Sequence, residues 1–291
     1  FGILAAEPEI DDAQLHDHIQ RVLTAQAPNV SAERLTALGA TVLRGDARFV
    51  SRSTVMVADQ AIKARRFVIA TGARTAVPAI AGLDVIPHLS VSDLASLTRR
   101  PERLIVLGGQ ATGVAIAQAM RRLGSQVALV DEGDLLRRED PEAVAILRRT
   151  LLREGVALHE HTTIERAERA KGGVRLVIGD GASGSERTIE GTHLLLAGPA
   201  QPAIDGLDLE LAGIRRGPDG IQVDRGLRCT NRRVYAIGDC AGGAPGSVGG
   251  GHVAEEQARL VLRNALFRQP GAFAPLAAPQ ATRTFPAIAR V

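Results

Sequence analysis

Leu104-Ile105-Val106-Leu107-Gly108-Gly109-Gln110-Ala111-Thr112-Gly113 reads as a strand that passes through a glycine turn into an alanine-rich stretch. The four aliphatic residues suit a buried strand, and Thr112 to Leu123 has helical character, closed by Gly124. Working outward, Gln126–Val130 is a second strand capped by Asp131. The helix Pro141–Glu154 and a strand near Val156–Leu158 complete a strand–helix–strand–helix alternation. That alternation predicts an α/β fold with a parallel sheet and right-handed crossovers. Upstream, residues 11–27 place Leu15, Ile19, Val22 and Leu23 at helical spacing behind an Asp-rich start, and a second helix runs from Ser31 to Leu38. Short strands are expected at Thr41–Leu43, Arg48–Val50, Thr54–Val57, Ala61–Lys63 and Phe67–Ala70.

The composition narrows the function. The 291 residues are 45% hydrophobic and 23% charged, enough for a substantial core and about two domains. Lys+Arg of 35 against Asp+Glu of 32 leaves a formal +3, a mixed surface without the single-sign field that draws nucleic acid. Six Phe, one Tyr and no Trp offer little to stack on bases. The longest apolar run, Leu104 to Met120, is broken by glycines and glutamines, so no membrane span is expected. The first residues show no basic segment ahead of a long apolar stretch, which predicts no signal peptide and a cytoplasmic enzyme. Two cysteines, Cys229 and Cys240, exclude a disulfide framework and a four-cysteine zinc site.

Two places carry chemistry. Gly108, Gly109 and Gly113 sit between a strand and a helix, with Asp131 at the tip of the next strand. A dinucleotide needs that context: a tight turn, a helix N-terminus aimed at the pyrophosphate, and an acid for the ribose hydroxyls. Gln110 replaces the middle glycine, and its side chain is expected to crowd the pyrophosphate. Asp131 followed by Glu132, with no arginine directly after, favours NAD over NADP. The second place is Val234-Tyr235-Ala236-Ile237-Gly238-Asp239-Cys240-Ala241-Gly242, a strand ending in Gly-Asp, with Gly251-His252-Val253-Ala254 opening a later helix. There is also an internal echo: residues 62–72 can be laid on residues 189–199, which points to a duplicated nucleotide-binding unit.

Taken in order, Ala70-Thr71-Gly72, the turn Gly108 to Gly113, Asp131, Tyr235-Ala236-Ile237-Gly238-Asp239 and His252-Val253-Ala254 resemble the FAD- and pyridine-nucleotide-dependent disulfide oxidoreductases. Within them the chain looks most like the mercuric reductase and dihydrolipoamide dehydrogenase branch. The likeness runs along nearly the whole chain, including Gly45-Asp46-Ala47-Arg48-Phe49 and Glu139-Asp140-Pro141-Glu142. It implies two Rossmann-like dinucleotide-binding domains, each a parallel sheet plus a β-meander, the NAD domain inserted into an incomplete FAD domain. The implied segments are 1–100 and 201–272 for FAD, 101–200 for NAD, and 273–291 as the start of a dimerisation domain. The implied cofactors are FAD and NAD. NADH would give a hydride to flavin, which passes electrons to a disulfide and a small-molecule or small dithiol substrate. By position, Asp239 after Gly238 would hold the ribityl chain, and the backbone around His252 and Val253 would face the isoalloxazine. Ala47 and the Ala70-Thr71-Gly72 turn would lie near the adenosine half.

The sequence departs from the family in several ways. These residues include no N-terminal glycine fingerprint and no C-x-x-x-x-C redox pair, as expected of a chain short at both ends. The family's His–Glu acid/base pair is likewise absent, so no catalytic residue is assigned. Ala115 stands where the family has a glutamate near the flavin, and Pro199 ends the second copy of the echo. The pairs His16/His18 and His159/His161 lack a third ligand nearby, and no metal site is expected. Two functions stay open: a flavin-dependent NADH oxidoreductase, or a nucleotide-binding scaffold with eroded sites. Members of the family are homodimers, whereas the assembly of this chain is left open.

Overall fold

A computed structural model of the chain describes residues 9–179, 186–242, 251–267, 269, 271–273 and 280–290. They divide into two compact units: one gathers the described residues of 1–34, 75–199 and 281–290, the other those of 35–74 and 200–280. The first unit thus extends beyond the segment 101–200 that bears its sheet.

The first unit is built on a four-stranded parallel sheet in the order His193–Leu196, Arg103–Leu107, Gln126–Val130, Ala157–His159. Between polar ends its strands are aliphatic, since both faces are covered. Leu104, Val106 and Leu129 pack with Val114, Leu147 and Leu151 of the helices Ala111–Arg122 and Pro141–Glu154. On the other face Ile105, Leu107 and Leu194 pack with Leu176 and Ile189 of the meander Thr163–Ala170, Gly173–Gly179, Glu186–Gly191. Burial of each such leucine contributes about 1.5–3 kcal/mol. The second helix begins where the Asp140 carboxylate accepts the N–H groups of Glu142 (2.8 Å) and Ala143 (3.1 Å), with Pro141 in its first turn. Gly155, at φ +86°, ends it.

The C-terminal segment joins this unit through buried Gln118, which is 3% exposed. Gln118 Nε2 donates to Phe285 O (2.7 Å), and Phe285 N donates back to Gln118 Oε1 (2.8 Å). Arg122 lies over the Phe285 ring at 5.3 Å, and Ile288 enters the core beside Leu104.

The second unit has its own meander, Ala47–Ser51, Thr54–Val57, Gln60–Lys63, feeding the strand Phe67–Ile69. That strand runs parallel to Val234–Ala236. Phe67 N donates to Arg233 O (2.9 Å) and Ile237 N to Ile69 O (3.0 Å), so Val68 turns its peptide groups to the opposite edge. Among the described residues no strand pairs with that edge, and Val68 is 48% exposed. Phe49, Ile69, Leu209, Ile221, Val234 and Ala236 form the core, and Phe49 meets Phe67 edge to face at 5.6 Å. In both units the third meander strand hands directly to a parallel strand, so the echo between residues 62–72 and 189–199 is a shared supersecondary unit.

The expected strand Thr41–Leu43 does not form. These three residues are exposed coil between Gly39 and Gly45, with no neighbouring strand to satisfy their peptide groups.

Candidate functional site

Each unit presents a candidate site where a parallel strand ends and a helix begins, the position at which α/β sheets take ligands. In the first unit Gly108, at φ +116°, donates its N–H to Val130 O (2.9 Å). A Cβ on Gly108 would stand 2.5 Å from Ala197 O and 2.8 Å from Gly198 N. On Gly109 it would overlap the Leu135 side chain, and on Gly113 the Gly108 carbonyl oxygen. The turn is therefore closed to side chains at all three glycines. It exposes the amino end of Ala111–Arg122, whose first N–H groups have no acceptor within the helix, a seat for a phosphate.

Gln110 occupies φ −90°, ψ 179°, a conformation open to any residue, so the turn itself never required glycine there. Its Nε2 is buried without an acceptor. Asp131, 8% exposed, braces the turn. Its Oδ2 accepts the Gly109 N–H (2.5 Å), and its Oδ1 accepts the Gly133 N–H (2.8 Å) and Arg137 Nη2 (3.2 Å). A carboxylate has about four acceptor positions, so one stays open to a ribose hydroxyl.

In the second unit, Ala70-Thr71-Gly72 and Gly238-Asp239 leave the same end of adjacent parallel strands. Gly72 (φ +68°) and Gly238 (φ +69°) are both left-handed, where glycine is favoured. The Asp239 side chain is exposed and makes no hydrogen bond among the described residues. Gly238 N donates to Gln257 Oε1 (2.7 Å). Val253 is buried in the helix Gly251–Ala265, while the side chain of His252 lies outside the described part. Ala47 starts the meander opposite Val57.

These residues fit dinucleotides: three glycines without room for a Cβ and a helix end in one unit, and in the other an exposed carboxylate, without a partner among the described residues, that follows a left-handed glycine. Sequence reading missed Gln118, Gln257 and Arg137. A polar residue at an inward position of an otherwise apolar helix face would have flagged the two glutamines.

Both cysteines are free thiols and buried. Burial, with Cys240 and Asp224 adding to it, pushes the Cys229 thiol up to about 12. Cys240, fully buried, donates to Ile237 O (3.2 Å) and Ile69 O (3.5 Å). The reactive thiolate forms at Cys229 only as pH climbs toward that value. Iodoacetamide at pH 8 is therefore expected to leave the folded chain unmodified and to label both thiols in denaturant, as read by intact-mass spectrometry.

Two mononucleotide-type units of this kind define the class of FAD- and pyridine-nucleotide-dependent oxidoreductases, and comparison with known proteins agrees. The family model for pyridine nucleotide-disulphide oxidoreductases matches residues 5–258. Mercuric reductase of Bacillus cereus is 33% identical over 267 residues, 91% of this chain and 41% of the relative. LpdA from Mycobacterium tuberculosis superposes with a TM-score of 0.83 at 27% identity, covering 97% of this chain and 62% of that one. The HOCl-induced flavoprotein disulfide reductase RclA from Escherichia coli, in its Cu(II) complex, gives 0.81 at 26% identity, covering 96% and 64%. The chain belongs to the pyridine nucleotide-disulphide oxidoreductase family. It spans 41% of the length of that mercuric reductase.

Proposed function

We propose that the chain acts in an FAD-dependent oxidoreductase of the cytoplasm that takes reducing equivalents from NADH and delivers them to a disulfide or a metal ion. The relatives named for mercury reduction and disulfide reduction, and the neighbour solved with Cu(II), support that choice of acceptors. The observation that carries the reading is the glycine turn. Gly108, Gly109 and Gly113 leave no space for a Cβ, and the helix behind them offers unpaired N–H groups. Hydride and electron transfer are supplied by the bound nicotinamide and flavin. The chain's own residues bind and orient: the turn seats the pyrophosphate, Asp131 accepts a ribose hydroxyl, and Asp239 accepts ribityl hydroxyls. The purified chain is expected to show a bound-flavin spectrum that bleaches when NADH is added without oxygen. A colourless protein that takes up no FAD sinks the proposal.

Gln110 narrows the approach to the pyrophosphate, and Gln110→Gly is expected to tighten NADH binding about tenfold, close to 1.4 kcal/mol. Calorimetry reads it, and an unchanged affinity would mean the side chain already lies clear.

Arg137 supports a second reading of the coenzyme. No arginine directly follows Asp131, but Arg137 folds back to it with its side chain 58% exposed. A guanidinium at the ribose acid suits a 2′-phosphate, so NADPH competes with NADH for this site.

A further inference from the structure

The helix Gly251–Ala265 turns Val253, Gln257, Leu260 and Val261 inward, and Gln257 is the polar member of that face, with no exposed surface. Its two ends differ. Oε1 accepts the Gly238 N–H at 2.7 Å, while Nε2 is buried with no acceptor among the described residues. The acceptor is thus the end of this buried carboxamide that has a partner. That acceptor holds the peptide of a left-handed glycine directly before Asp239. The Cys240 thiol pins the same turn through Ile237 O and Ile69 O. Asp239 follows from the pinned turn, exposed and without a partner among the described residues.

We propose that Gln257 is the positioning residue of the flavin site: it locks the Gly238 peptide so that the Asp239 carboxylate meets the hydroxyl chain of the flavin at a fixed angle. This rests on the flavin reading above. Gln257 touches no reacting atom and acts through Gly238.

The test uses three variants of the full chain, with FAD affinity read by flavin fluorescence quenching, the bound absorption band, and the melting temperature without FAD. Gln257→Met keeps the volume and loses the acceptor. Gln257→Asn keeps the amide and falls one methylene short. Gln257→Glu keeps an acceptor oxygen in either protonation state. The Met and Asn variants are expected to weaken FAD about tenfold and shift the bound band, with Glu restoring affinity to within about threefold. Should the Met variant fail to fold, the Asn and Glu pair carries the comparison. Met and Asn variants that bind FAD like the wild type overturn this inference alone. So does a Glu variant as weak as Met, or an affinity loss that merely tracks the melting temperature. A wild-type chain that takes no FAD overturns the flavin reading and this inference together.

Discussion

Replacing Gly113 with alanine is expected to abolish the proposed NADH binding and to lower the melting temperature by roughly 5 °C, the equivalent of about 3 kcal/mol for a chain of this size. The cause is local. An added Cβ would overlap the Gly108 carbonyl oxygen and stand 3.2 Å from Ala197 Cβ, so helix Ala111–Arg122 must lift off the strand ends. The clash is with backbone, which no rotamer change relieves. Lifting the helix moves its first N–H groups away from the proposed pyrophosphate seat and opens the packing of Val114 and Ala117, both fully buried. Calorimetry and thermal melting check the two effects separately. A variant that melts like the wild type would show that the turn has slack which the geometry denies.

Asp131→Ala is expected to cost about 3 kcal/mol of stability and at least tenfold in NADH affinity, because it strands donors rather than merely losing a contact. The N–H groups of Gly109 and Gly133 lose their acceptor together, and Arg137 loses its partner. Gly109 belongs to the turn itself, so its freed peptide is also a misplaced one. Asp131→Asn separates the contributions. One oxygen survives to accept one peptide N–H, while the new NH2 group faces the other, giving a loss between wild type and alanine. Urea unfolding measures the stability change, and an alanine variant as stable as the asparagine one would sink this account of the carboxylate.

Much of the framework was readable because the strands are buried on both faces. Arg103–Leu107 and Gln126–Val130 announce themselves as aliphatic runs, and Pro141–Glu154 carries its start in Asp140-Pro141 and its stop in Gly155. The overprediction at Thr41–Leu43 came from the same reasoning. Its residues suit a strand, but a strand needs a neighbour, and none stands beside it in the structure. The glycine turn was visible for the same reason as the strand before it, since both stand out in the residue pattern. Gln118 and Gln257 were not, since periodicity counts apolar residues and passes over a buried amide. Arg137 was hidden by distance along the chain. Leu135 and Leu136 bury themselves between it and Asp131, Leu136 adopts φ +49°, and its N–H reaches Gly109 O, which folds the arginine back.

The edge of Phe67–Ile69 that has no strand partner among the described residues has a practical consequence for handling this chain. An unpaired strand edge is a template for clumping, and the exposed pair Arg65 and Arg66 directly precedes this one, where like charges repel a second copy. Ionic strength governs how far that repulsion reaches: about 30 Å in 0.01 M salt and only about 3 Å in 1 M. The chain is therefore expected to stay dispersed in dilute buffer and to associate in concentrated salt, as light scattering would read.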